Sequence, residues 1–175
     1  MFLKAKLSWN ILITCENLNS NELTLHKTII LQLLNEFSTR RATEEHGYFI
    51  AVISLDKVGD GKVRTLTGDV LFPVDFTCIT LKPFRGEVLD GVVDKVLKNG
   101  LFLKAGPLDS VFVPSKTIGK FQYVHGEIPI FLNEKMERLE KDTTVRFRVF
   151  GIQWKESDRC FRMLGTLDGG LLGPV

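Results

Sequence analysis

Apolar and polar residues alternate loosely over residues 2–14, among β-forming side chains, and this period of two predicts a first strand. The polar cluster Glu16-Asn17-Leu18-Asn19-Ser20-Asn21 closes it. The period then changes. Leu23, Ile30, Leu33, Leu34 and Phe37 recur at three- and four-residue spacing, with Leu25 and Ile29 widening the stripe. That pattern predicts a helix packed on a core and capped by Ser20 or Asn21. Arg40-Arg41 ends the helix and suits its negative pole. Tyr48-Phe49-Ile50-Ala51-Val52-Ile53 is an apolar run too short for an independent helix, so a buried strand is expected there. Gly59-Asp60-Gly61 and Gly68-Asp69 then interrupt the pattern and predict an exposed double turn ahead of another strand over 70–79.

Lys82-Pro83-Phe84 marks a change of grammar, because proline holds the preceding residue extended. From Gly86 onward short strands alternate with glycine turns, which places a domain boundary between 81 and 82 and gives two domains, 1–81 and 82–175. The second contains strand patterns at 87–97, 100–105, 110–114, 144–153 and 160–167, a series that suggests an OB-type β-barrel. Residues 115–141, between the third and fourth, have room for an inserted turn or helix, and Glu127-Ile128-Pro129-Ile130 suits an extra edge strand.

Composition narrows the class without fixing the function. A length of 175 residues, 44% hydrophobic and 25% charged, is that of an ordinary globular protein of one large or two small domains. No apolar run reaches the roughly 18 residues that a membrane helix needs, and Ser8, Trp9 and Asn10 break the apolar start, so no membrane association is expected. Cys15, Cys78 and Cys160 are far apart and odd in number, which argues for reduced thiols rather than a disulfide framework or a Cys-rich zinc site. Net charge is +2, divided as 8 Lys/Arg against 9 Asp/Glu in residues 1–80 and 15 against 12 in residues 81–175. A basic excess that small points to nucleic-acid contact that is modest, salt-sensitive and helped by stacking.

Catalysis finds no foothold. His26, His46 and His125 lack partners at ligand or dyad spacing, and neither G-x-S-x-G nor H-E-x-x-H occurs, so no metal, no cofactor and no catalytic residues are expected. Asp56-Lys57-Val58-Gly59-Asp60-Gly61-Lys62 fits neither phosphate-loop pattern, and its carboxylates would repel phosphate. A turn that docks on another protein is one reading of it, and an idle connector is the other. Asp90 and Asp94 fall on one strand face and have the chemistry for a cation, although nothing converges on them.

The segment from Phe84-Arg85-Gly86-Glu87-Val88 through Gly91 to Asn99-Gly100-Leu101-Phe102 resembles the opening of the ribosomal-S1 type of OB domain. Gly91 suits a strongly coiled strand, Asn99-Gly100 a positive-φ turn, and Phe102 either a base-stacking platform or a core position. By the resemblance three ring positions lie on the binding face, and alignment puts Asn99 and Val113 at two of them, leaving Phe102 in register. Lys95, Lys98, Lys104, Arg146 and Arg148 are candidate phosphate contacts or solvated surface, while Phe112 and Phe147 suit platform or core.

Taken whole, the chain resembles the seventh-subunit family of eukaryotic RNA polymerases and its archaeal counterparts. The likeness rests on His46-Gly47-Tyr48-Phe49-Ile50-Ala51-Val52, Gly68-Asp69-Val70-Leu71-Phe72-Pro73-Val74 and Lys82-Pro83-Phe84-Arg85-Gly86-Glu87-Val88. It implies an α+β chain: a truncated ribonucleoprotein-like α/β domain, then a five-stranded OB barrel. It further implies a non-catalytic nuclear stalk subunit, paired with a fourth-subunit homologue, docked on the large subunits of the core and facing nascent single-stranded RNA. Under that resemblance the docking tip is Val58, Gly59, Asp60, Gly61, Gly68 and Asp69, and apolar surface along the first domain and the seam between domains is paired. The divergent first thirty-odd residues, the segment 115–141, and Asp69 where the family often has an aromatic resemble the plant paralogues in the polymerases of RNA-directed DNA methylation, IV and V. A free-standing OB protein of translation or RNA decay, and an enzyme carrying the barrel as an accessory, are the alternatives.

Overall fold

The structure, a computed structural model, describes residues 1–18, 22–126 and 129–175. The chain divides into two compact units, Phe2–Lys82 and Pro83–Val175. The first unit holds β1 (Phe2–Ile13), α1 (Glu22–Thr39), β2 (Tyr48–Val58), β3 (Lys62–Val63) and β4 (Val70–Leu81). The strands form an antiparallel sheet in the order β1-β4-β2, with β3 pairing β4.

Central position explains the composition of β4. Its alternate residues Val70, Phe72, Val74, Phe76 and Cys78 are all buried in the core that α1 covers. The helix contributes Ile29, Leu33 and Phe37, four residues apart on one face, with Leu25 half-buried beside them. Phe37 meets Trp9 at 5.9 Å, Phe49 at 5.5 Å and Phe76 at 6.1 Å between ring centroids. Such aromatic contacts add roughly 0.5–1.5 kcal/mol per pair beyond area burial.

Three sequence expectations change here. Leu23, Ile30 and Leu34 of the predicted core stripe are exposed, as is Leu31, because the core takes only the row 25, 29, 33 and 37. The proposed caps, Ser20 and Asn21, lie outside the described residues. Arg40 lies just beyond the helix and sets its guanidinium 4.5 Å from the Trp9 ring centroid, a cation–π contact in place of the expected pole interaction.

The third change concerns β2, which lies on the sheet edge and buries none of its residues fully. Its register against β4 shifts at three points, between Phe49/Ala51, Val52/Ser54 and Leu55/Lys57. Each bulge inserts an extra residue, so Phe49, Val52, Leu55 and Val58 pack on the core at every third position. Ile50 and Ile53 are therefore left exposed.

The second unit holds β5 (Val88–Leu97), β6 (Gly100–Ala105), β7 (Leu108–Pro114), β8 (Gln122–Val124), β9 (Ile130–Leu132), β10 (Arg138–Leu139), β11 (Thr144–Lys155), β12 (Cys160–Thr166) and β13 (Gly173–Pro174). The order β12-β7-β6-β5-β11 closes on itself through β11–β12 pairing, giving a five-stranded barrel to which β13 adds against β11. All its pairings are antiparallel except β7 with β12. Val93, Leu101, Leu103, Val111, Phe147 and Met163 are buried in this unit. Phe147 is thus core rather than platform. Gly91 is buried too, and a Cβ there would stand 3.0 Å from both the Phe147 ring and the Lys104 carbonyl oxygen, so the missing side chain lets that ring fill the space.

Residues 115–141 form a 3-10 turn (Ser115–Thr117) and a small antiparallel sheet in the order β10-β9-β8, not a helix, among the described residues. Phe131 and Leu139 are buried, and Tyr123 meets Phe131 edge-on at 5.5 Å. Of the edge strand expected at 127–130, Glu127 and Ile128 lie outside the described residues, while Ile130 opens β9.

Candidate functional site

Cross-strand register sets a row of side chains over the outside of the barrel. Lys95 pairs with Phe102, Phe102 with Phe112, and Phe112 with Leu164. Phe102 and Phe112 are half-buried, with centroids 5.0 Å apart and planes inclined at 44°. On the third strand it is therefore Phe112 that stands beside Phe102, and Val113, assigned to the ring position by the resemblance, is fully buried. Beside the two rings opens a cleft of about 600 Å³, lined also by Ser110, Gly151, Ile152, Gln153, Arg162, Met163 and Leu164. A bulge of β11 between Val149/Gly151 brings Gly151 to this wall, where a Cβ would meet Leu164 at 3.3 Å. The cleft has the apolar walls and exposed ring faces that suit a flat, uncharged group such as a nucleobase.

The five candidate cations divide into two groups. Arg146 donates two hydrogen bonds to Asp90, Nε to Oδ1 at 2.7 Å and Nη2 to Oδ2 at 3.1 Å. Lys104 Nζ donates to Asp94 Oδ1 at 2.8 Å. These hydrogen bonds and the adjacent charges hold both carboxyls below the ordinary aspartate range and raise both cations above theirs. The two aspartates, whose chemistry would suit a cation, thus serve as counter-ions to side chains of the chain itself. Lys95, Lys98 and Arg148 are exposed and form no ion pair among the described residues. Arg162, at the cleft, lies 3.5 Å from Asp158, which also pairs with Lys155 at 2.5 Å.

The other candidate site is the hairpin between β2 and β4. Two of its glycines are required by close packing: a Cβ on Gly59 would stand 2.7 Å from Pro73, and one on Gly61 would stand 2.6 Å from Val70. Gly68 has φ +75°, the left-handed region, and its N–H donates to the Arg64 carbonyl at 2.9 Å. Asp69 accepts a hydrogen bond from the Cys15 N–H at 3.3 Å, tying the end of β1 to the turn. Val58 is half-buried and Asp60 exposed. The glycines and Asp69 therefore build the turn, and the apolar groups it presents are ones the sequence pattern passed over: Leu66, 99% exposed, and Val63, 65% exposed. The signal was present in Arg64-Thr65-Leu66-Thr67, one apolar residue amid polar neighbours, which is too little for any periodicity.

Among the described residues no three His, Cys, Asp or Glu side chains gather where they could hold a metal ion. No protein-family model matches the chain. Among known proteins it is 47% identical over 175 residues to DNA-directed RNA polymerase V subunit 7 of Arabidopsis thaliana, a match covering 100% of this chain and 98% of that protein. It is 38% identical over 174 residues to DNA-directed RNA polymerase IV subunit 7 of the same plant, covering 99% of each. It is 33% identical over 132 residues to DNA-directed RNA polymerase II subunit RPB7 of Glycine max, covering 74% of this chain and 73% of that one.

Proposed function

We propose that this chain, which belongs to the seventh-subunit family of DNA-directed RNA polymerases, is the non-catalytic stalk subunit of a nuclear polymerase of the plant V or IV class. The observation that carries this reading is the full-length likeness at 47% identity, against 33% over 74% of the chain for the polymerase II subunit. A polymerase of that class works in RNA-directed DNA methylation, so the stalk would guide RNA into silencing.

The geometry gives each part a role within that reading. A closed barrel whose third and fifth strands, β7 and β12, run parallel supports an OB-type domain, and an antiparallel sheet under one helix supports a truncated ribonucleoprotein-like domain. The hairpin apex docks on the large subunits, with Leu66 and Val63 as its apolar contacts. The exposed Ile30, Leu31 and Leu34 of α1 and the exposed Ile50 and Ile53 of the edge strand β2 supply apolar surface for a fourth-subunit homologue to cover. Nascent single-stranded RNA stacks on Phe102 and Phe112, with Lys95, Lys98 and Arg148 reaching phosphates. Stacking contributes about 1–3 kcal/mol per base whatever the sequence, which suits a subunit that must accept every transcript. Tethering near the emerging RNA makes weak intrinsic affinity sufficient.

Coexpression with a fourth-subunit homologue from the same organism tests the pairing. The expected product is a one-to-one heterodimer by light scattering. A chain that stays monomeric beside that homologue and binds RNA tightly alone would instead be a free-standing OB protein.

A further inference from the structure

We infer that Asp90 and Asp94 determine how readily the barrel takes up single-stranded RNA, by neutralising the cations on either side of β5 and so weakening their pull on a phosphate. The inference rests on the RNA reading of the barrel. Asp90 stands directly opposite Arg146 on β11, and their two hydrogen bonds join the carboxylate and guanidinium along matching edges. On the other side of β5, Asp94 reaches Lys104 of β6 at 2.8 Å. One acidic strand therefore neutralises one cation from each neighbour.

Stability gives little reason for the arrangement. The paired side chains are between 29% and 52% exposed, and ion pairs so open to water add little to a fold. Their consequence for binding is larger. Arg146 commits two of its five N–H donors to Asp90 and Lys104 one of its three to Asp94, and the adjacent negative charge weakens the pull of both on a phosphate, whereas Lys95, Lys98 and Arg148 carry no such ion pair among the described residues. The carboxylates thus lower the affinity for any RNA, so dilute nucleic acid in bulk solution occupies the barrel little, while RNA held nearby at high local concentration still fills it. The carboxylates act as a threshold that favours RNA delivered by the assembly over RNA met at random.

The test is binding of a fluorescently labelled oligouridine to the full chain across a salt series. It compares the unaltered protein, Asp90→Asn with Asp94→Asn, and Glu134→Gln with Asp168→Asn, which removes equal charge from exposed carboxylates away from these cations. Melting curves establish that all three, and a Phe102→Ala, Phe112→Ala variant, are folded. The β5 variant should bind roughly three- to tenfold more tightly at low salt. Releasing two more counter-ions should steepen its log–log salt slope by about 1.4. The control should change neither quantity. Equal tightening in both variants would assign the effect to bulk charge, and no tightening in the β5 variant would remove the threshold. In either case, loss of binding on Phe102→Ala with Phe112→Ala would leave the RNA reading standing. No binding by any of the proteins would overturn the threshold and the RNA reading together.

Discussion

Gly100 shows how far one residue controls the pairing of the two rings. A Cβ there would stand 2.2 Å from the Val113 carbonyl oxygen and 2.9 Å from the Phe112 ring, and the backbone has φ +153°. Neither the carbonyl nor the β5–β6 hairpin can yield without moving the third strand. Gly100→Ala should therefore cost at least about 2 kcal/mol in chemical denaturation, a loss typical of a forced backbone clash. The glycine was legible as a turn residue, although Asn99 does not share its positive φ. The choice between Phe112 and Val113 was not legible. A register shift between Leu103/Ala105 sets an extra residue in β7, so that the buried face passes from Leu108 to Val111 and Val113, and counting along the sequence does not see it.

At the scale of elements, α1 and β2 were legible as helix and strand but not in how they face the core. Both carry more apolar residues than one core can take, so periodicity marks too wide a stripe on the helix and a buried run where a bulged edge strand stands. The surplus has a consequence that can be measured. Leu31→Gln with Leu34→Gln and Ile53→Thr alters only exposed positions, so stability should stay within about 0.5 kcal/mol per site. Heterodimer formation with the fourth-subunit homologue should weaken by about tenfold or more in titration calorimetry, since polar groups at three apolar positions of an interface lose the burial of those side chains and must be desolvated. Unchanged affinity would move the partner to another face.

For the whole molecule, order of elements was more informative than any single motif. The structure runs through strand, helix, edge strand, glycine hairpin and barrel in that order, and the polymerase V and IV subunits of Arabidopsis thaliana match the chain over nearly their whole length. The five barrel strands were legible from their spacing. The small sheet of β8, β9 and β10 was not, because strands of two or three residues give no period to read. The docking role proposed for the hairpin falls on an apex that carries Leu66, an apolar side chain almost wholly exposed and so buried in no part of its own unit. The most direct test is affinity purification of the tagged chain, unaltered and as Leu66→Asp, from the cells that make it. The unaltered chain should retain the large polymerase subunits and a fourth-subunit homologue in stoichiometric amounts, with the largest subunit identifying the polymerase, and Leu66→Asp should keep the fourth-subunit homologue while losing the large subunits. An unaltered chain that recovers no large polymerase subunit would contradict the account.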